Sequence, residues 1–510
     1  MPPEPVRRTL WVDVEDLFQY ALANPRPSGI QRLVFEILRV LPERAARQPD
    51  APRIAFVRHD AGPDLLREVP FAEVAALFGH LSAGHGGNPV SSLPPRRQLA
   101  LRVRRGRPFL QRLRFGLIHR LQKLPPRTSE ALLQAAVLQM NVLRTGRRGL
   151  ALWRNRRQGG ALSAGVPAAS MAAPSPVEPG VAVMPASSLR AQPGDVFLIL
   201  GAAWVHTDYA GLLRRLRQRH GLRPALLLYD LIPLRRPEWC ARDLVRSFRH
   251  WVETVLPECP RLMAISHATA HDVEAYAAET GLVLEAPVRP IPIGTGFGLA
   301  GQADRLASAR PRGLPRPGSY VLFVSTLEAR KNHALLFRVW RRLLSEMPRE
   351  QVPTLVFAGR VGWLVADLMQ QLENAEWLGG KIRLVRDPSD EELLALYRGC
   401  RFTLFPSLFE GWGLPVSESL ALGRPCIASD RTSLPEAGAL ARYFDPDDLD
   451  DACATIRAVI EDPQGLEEWR ERVAREFRHV PWSDSADAIL EGVLAPPAQA
   501  AGPAQQDQSA

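Results

Sequence analysis

The sequence predicts two doubly wound α/β domains, on three observations. Short strand-like apolar runs alternate with helical patterns in two separate series. A proline- and glycine-rich stretch lies between the series. A chain of 510 residues, 46% hydrophobic and 23% charged, is long enough for two or three domains with substantial cores. Strand-helix alternation implies parallel sheets covered by helices on both faces, with ligands sitting beyond the carboxyl ends of the strands.

The N-terminal domain is expected over residues 1–298. "RTLWVDV" (8–14) supplies a first strand and "SGIQRLVFEILRVL" (28–41) a first helix. "DVFLILG" (195–201), "PALLLYD" (224–230), "RLMAIS" (261–266) and "RPIPIGTG" (289–296) continue the series. Residues 81–192 interrupt this domain as a basic, low-complexity insert with a helical centre. A linker at 299–319 follows, because proline and glycine disfavour regular elements.

The C-terminal domain is expected over 320–480. Its strands are "YVLFVS" (320–325), "TLVFAG" (354–359), "IRLVRD" (382–387), "RFTLFPS" (401–407) and "PCIASD" (425–430). Between them, "HALLFRVWRRLLSEM", "LVADLMQQLENA" and "DEELLALYRG" show three-to-four-residue apolar spacing. A last helix at 481–497 is expected to pack back toward the N-terminal domain. The tail at 498–510 is low in complexity and expected to be unstructured.

Five scattered cysteines, none at CxxC spacing, suggest neither a disulfide framework nor a thiolate metal site, and fit a reducing cytosol. The N-terminus lacks the apolar core of a signal peptide, and no apolar run reaches membrane-spanning length. The net charge of +10 comes from one place. Between Arg96 and Arg157 there are 17 Lys or Arg against one acidic residue, Glu130, whereas the remainder holds 47 basic against 53 acidic residues. The centre of this insert, "LALRVRRGRPFLQRLRFGLIHRLQKL", is basic and amphipathic, a pattern suited to the anionic face of a membrane at which the protein would sit peripherally. A solvated charged segment is the plainer reading. Nucleic acid is not expected, since Phe109 and Phe115 form no stacking series.

The chemistry concentrates in "FPSLFEGWGLPVSESLALGRPCIASD" (405–430). Gly411 and Gly413 let the backbone turn sharply and approach a ligand, and Pro415 suits the first turn of a helix whose free N–H groups favour an anion. Loop and helix start make a diphosphate cradle. Glu410 before the turn and Glu418 inside the helix would serve different parts of one ligand, since carboxylates accept well from sugar hydroxyls. Upstream, "FVSTLEARKNHALL" places Arg330 and Lys331 at the start of a helix, where cations oppose the dipole and phosphate binding explains them better. A solvated glutamate pair and an exposed basic pair remain the plainer alternatives for each feature taken alone.

The order of these features resembles the family-4 retaining glycosyltransferases of GT-B fold (glycosyl transferases group 1, among them bacterial surface-polysaccharide mannosyltransferases). Their E-x7-E element matches Glu410 and Glu418, and their "TLE-x-RKN" element matches Thr326 to Asn332. The resemblance extends through "RVGWLVADLMQQL", "SLPEAG", "SGIQRLVFEIL", "YDLIPLRRPEW", "MAISHATAHDV" and "IPIGTG", covering about residues 8–45 and 190–495.

It implies two Rossmann-like domains facing across a cleft, the C-terminal one holding the sugar nucleotide. Glu418 would accept from the ribose, Glu410 would contact the donor sugar, and Arg330 and Lys331 would stabilise the leaving diphosphate. Gly411, Trp412, Gly413 and Leu414 would complete the donor loop, and Ser28 and Gly29 would approach the diphosphate from the other domain. No metal and no cofactor are expected, and Asp13 and Glu15 of "VDVED" are not read as metal ligands. On the acceptor side stand Asp230, His206 and Thr295, with Gly294 beside the last. Many relatives carry a histidine where this chain has Tyr229.

The resemblance implies transfer of a hexose such as mannose to a glycan or lipid-linked acceptor in surface-polysaccharide synthesis. Sugar-nucleotide epimerisation, glucan synthesis, and a non-catalytic adaptor on a degenerate transferase fold are the alternatives.

Overall fold

The computed structural model describes residues 8–24, 26–48, 52–59, 66–82, 191–206, 208–296 and 315–495. The expected insert apart from its edges, most of the linker and the tail lie outside the described residues.

Two sheets organise the chain. The first comprises β1 (Thr9–Asp13), β2 (Arg53–His59), β3 (Leu66–Val69), β4 (Val196–Ile199), β5 (Arg223–Leu228), β6 (Arg261–Ala264) and β7 (Arg289–Pro290). Its order is β3-β2-β1-β4-β5-β6-β7, parallel except for β3, which runs antiparallel to β2 at the edge. The second comprises β8 (Tyr320–Val324), β9 (Thr354–Ala358), β10 (Ile382–Val385), β11 (Thr403–Phe405), β12 (Cys426–Ser429) and β13 (Arg442–Phe444), in the order β10-β9-β8-β11-β12-β13. Strand order therefore reverses between β1 and β4 in one sheet and between β8 and β11 in the other, the place where open α/β sheets bind ligands.

The central strands are apolar throughout because helices cover both faces. β1 is buried at all five positions and β12 at all four. In the first domain, the helix Gly29–Ala46 presents Leu33, Val34, Ile37, Leu38 and Leu41 to the sheet at helical spacing. The last helix, Trp482–Leu494, packs on that helix and adds Ile489, Leu490 and Val493 to the same core. An ion pair of Arg44 with Asp487 closes this seam.

Residues 53–82 hold two strands and the helix Phe71–Ser82 that the periodicity did not mark, and the helix Glu15–Ala23 and strand β13 are likewise additional. Among the described residues, no helix is long and apolar enough to cross a membrane.

Candidate active site

A cleft of about 580 Å³ separates the carboxyl ends of the two sheets. It is lined from the first domain by Ser28, Gly29, Arg32, Tyr229 and Asp230, and from the second by Arg330, Lys331, Glu410 to Pro415 and Glu418. Its size is that of a small-molecule site.

Arg330 and Lys331 lie in a three-residue 3₁₀ turn, Ala329–Lys331, and not in the helix itself, which starts at His333. Asn332 ends the turn in the left-handed region (φ 58°), a conformation that asparagine tolerates well, and donates to the Pro446 carbonyl at 3.1 Å. The dipole argument for these cations therefore gives way to a local one: the turn aims both side chains at Glu410. Arg330 meets the Glu410 carboxylate at 2.8 Å, donates to Glu328 at 2.7 Å and to the Phe409 carbonyl at 2.7 Å. Lys331 donates to the other Glu410 oxygen. Burial alone would raise the Glu410 pKa, but the Arg330 and Lys331 charges outweigh it and hold it at about 2.

The Glu410–Gly413 loop is fixed at every residue. Thr432 Oγ1 accepts from the Glu410 N–H at 2.9 Å, and the Ser433 hydroxyl lies 3.0 Å from the carbonyls of both Glu410 and Trp412. Trp412 packs against both domain cores. Gly413 has φ 106°, which a side chain would strain, and Leu434 fills the space beside it. The helix Leu414–Ala421 then begins with Pro415 in its first turn and its N-terminus in the cleft.

Glu418 projects from this helix, 7% exposed, and accepts from the Tyr397 hydroxyl at 2.9 Å. Burial raises its pKa to about 7, against the hydrogen bond from Tyr397 and the charge of Arg32. Between pH 4.5 and 7 the folded chain keeps a proton that the unfolded chain releases, so stability falls as pH rises through that window. Glu418→Gln is therefore expected to be more stable than wild type above about pH 7, by on the order of 3 kcal/mol, and equal to it near pH 4. Urea unfolding at both pH values checks this.

Of the acceptor-side residues, only Asp230 lines the cleft. It accepts from the Ile232 N–H at 3.0 Å, and burial raises its pKa against the charge of Arg330. His206 is exposed, sits edge-on to His59 at 5.0 Å, and accepts from the Asp208 N–H at 3.2 Å. It does not line the cleft but lies against His59 and Tyr209, where Asp13 takes a hydrogen bond from Tyr209 and contacts the His59 ring at 2.9 Å. Glu15 pairs with Arg58 at 3.0 Å. Gly294 and Thr295 serve the last helix: Gly294 N–H donates to Ser485 at 3.0 Å, and Thr295 N–H to the Val480 carbonyl at 2.9 Å. Tyr229 points its hydroxyl away into the sheet, onto the Leu200 carbonyl.

Several cleft residues carried no sequence signal. Arg32 bridges the domains through Asp390 at 2.5 and 3.0 Å, and Arg26 donates to the carbonyls of Asp387 and Pro388. Trp363 donates across the cleft to the Trp239 carbonyl at 2.9 Å.

Residues 304–476 match the family model of glycosyl transferases group 1. The matched stretch holds Arg330, Lys331, Glu410 and Glu418. The serotype-specific mannosyltransferase WbdA of Escherichia coli is 30% identical over 287 residues, 54% of this chain and 34% of that protein. The O-antigen chain mannosyltransferase B of Escherichia coli is 27% identical over 263 residues, 49% of this chain and 63% of that protein. The chain thus spans about a third of the length of the first relative. Among solved structures, the UDP-forming α,α-trehalose-phosphate synthase of Burkholderia vietnamiensis superposes with a TM-score of 0.45 at 15% identity, covering 61% of this chain and 73% of that one.

Proposed function

We propose that the protein is a retaining glycosyltransferase that moves a hexose, mannose in the first instance, from a nucleoside diphosphate to a glycan or lipid-linked acceptor of a surface polysaccharide. The observation that carries this is the pair Arg330 and Lys331, buried together on Glu410 beside the Leu414–Ala421 helix start and Glu418. Two fixed cations and a helix N-terminus suit a diphosphate whose charge grows as the sugar leaves. Glu418 suits the ribose diol. The similarity to a serotype-specific mannosyltransferase and an O-antigen chain mannosyltransferase of Escherichia coli supports mannose and O-antigen-type glycans.

Glu410, locked in two ion pairs with a pKa near 2, is a weak base. Its role is to aim the cations and to accept from hydroxyls of the donor sugar. Asp230, on the opposite wall with a raised pKa, is better suited to receive the proton of the acceptor hydroxyl. With two cations in place of a metal, transfer proceeds in EDTA.

Titration of purified protein with GDP- and UDP-sugars in EDTA tests the reading, alongside Lys331→Ala and Glu418→Ala. Binding of one donor that both substitutions abolish supports it, and binding of none by folded wild type refutes it. The basic segment 96–157 would hold the protein at an anionic membrane face. Loss of sedimentation with phosphatidylglycerol vesicles on its deletion supports that part, and unchanged sedimentation refutes it.

A further inference from the structure

We propose that Glu436 is a positioning residue that couples closure of the cleft to the placement of Glu410; the inference rests on the transfer reading above. Glu436 lies in the short helical turn Leu434–Ala437 of the second domain. Its carboxylate crosses to the first domain, where it accepts from the N–H of His267 at 2.7 Å and of Ala268 at 2.8 Å. These are the first two N–H groups of the helix His267–Thr280, which have no partner within the helix. Ser266 takes the next free donor, Thr269 N–H, at 2.9 Å. The charged acceptor that completes this helix start therefore comes from the opposite domain, where a carboxylate also complements the helix dipole.

Both ends of the contact reach the Glu410–Gly413 loop. On the Glu436 side, Thr432 holds the Glu410 N–H, Ser433 lies on the carbonyls of Glu410 and Trp412, and Leu434 packs on Gly413. On the helix side, the Thr269 hydroxyl is 3.3 Å from the carbonyls of both Gly411 and Tyr229. The loop that carries Glu410 is thus enclosed by a ring of contacts, and Glu436 closes that ring between the domains. A shift of the helix relative to residues 432–437 moves the support of Glu410 and that of Gly411 apart. Arg330, Lys331 and Glu418 all belong to the second domain, so the main contacts proposed for the nucleotide stay together when this link is broken.

Glu436→Gln and Glu436→Ala separate the two functions. The amide of Gln offers one acceptor oxygen and sets an NH₂ against the other N–H, while Ala removes both acceptors. Hydrogen exchange of the His267 and Ala268 amides is expected to accelerate about tenfold in either variant, as a lost charge-assisted pair of hydrogen bonds implies. Turnover is expected to fall roughly tenfold, with the Kd for GDP or UDP, whichever wild type binds, held within about twofold. Unchanged exchange, unchanged turnover, or a nucleotide Kd that weakens in step with turnover would each overturn the proposal. A wild-type protein that binds neither nucleotide refutes the transfer reading itself, and that result precedes any variant.

Discussion

Gly411→Ala is expected to stop the proposed transfer while leaving both sheets folded. A methyl group at this position would lie 1.9 Å from the Tyr229 carbonyl oxygen and 3.2 Å from Asp230 Cβ, across the cleft. Carbon and oxygen atoms settle no closer than about 3.3 Å, and main chain on both sides gives the methyl nowhere to turn. The domains must separate by more than an ångström to admit it. Tyr229 follows β5 and Gly411 lies in a loop after β11, so neither sheet has to change. Misplacement of reacting groups by about 1 Å can cost 100-fold in rate, and a loss of at least that size is expected in turnover. Far-ultraviolet circular dichroism and the unfolding midpoint should stay near wild type. Wild-type turnover in Gly411→Ala would show that the proposed transfer does not work through this close approach.

Gly411 also marks how far the sequence could be read. Its glycine was legible as a place where backbone meets a ligand; that it also meets the backbone of the other domain depends on a contact 182 residues away in the chain. The central strands were legible because both of their faces are covered, which leaves long apolar runs such as "YVLFV" and "ALLLY". Strands at the margins lacked that signal. β2 ends in Arg58 and His59, held by Glu15 and by Asp13 at the end of β1, and β3 buries only its first and last residues. β13 is three residues long.

The site divides in the same way. Glu410, Glu418, Arg330 and Lys331 stand in local motifs, and all four line one cleft. Their partners come from elsewhere. Tyr397 reads as one more apolar position of the helix Asp390–Gly399, yet its hydroxyl holds Glu418. Arg32 reads as the polar face of its helix and finds Asp390 only when the domains meet. His206, placed by its position after a strand, goes instead to the end of the sheet at β2, a strand whose polar end carries no apolar signal.

Glu410→Gln should separate what this carboxylate does for the fold from what it does for the reaction. Arg330, Lys331 and Glu410 are 16%, 13% and 9% exposed, so the cations it neutralises are largely out of water. Removing one partner of such a cluster leaves charge unpaired, a loss of about 3–5 kcal/mol; Glu328 still holds Arg330, which favours the lower end. The pH dependence fixes the cause. Because the folded pKa of about 2 lies below the ordinary 4.5, Glu410 contributes its full stabilisation above pH 4.5 and loses it as pH falls through 2. The gap between wild type and Glu410→Gln in denaturant should therefore be widest near neutral pH and narrow below pH 4.5. Turnover should fall by at least about 100-fold, since the cations lose the group that aims them. Affinity for a free nucleoside diphosphate should rise instead, because two buried cations have lost their competing anion. Equal loss of turnover and of nucleotide affinity would show that Glu410 only holds the loop together.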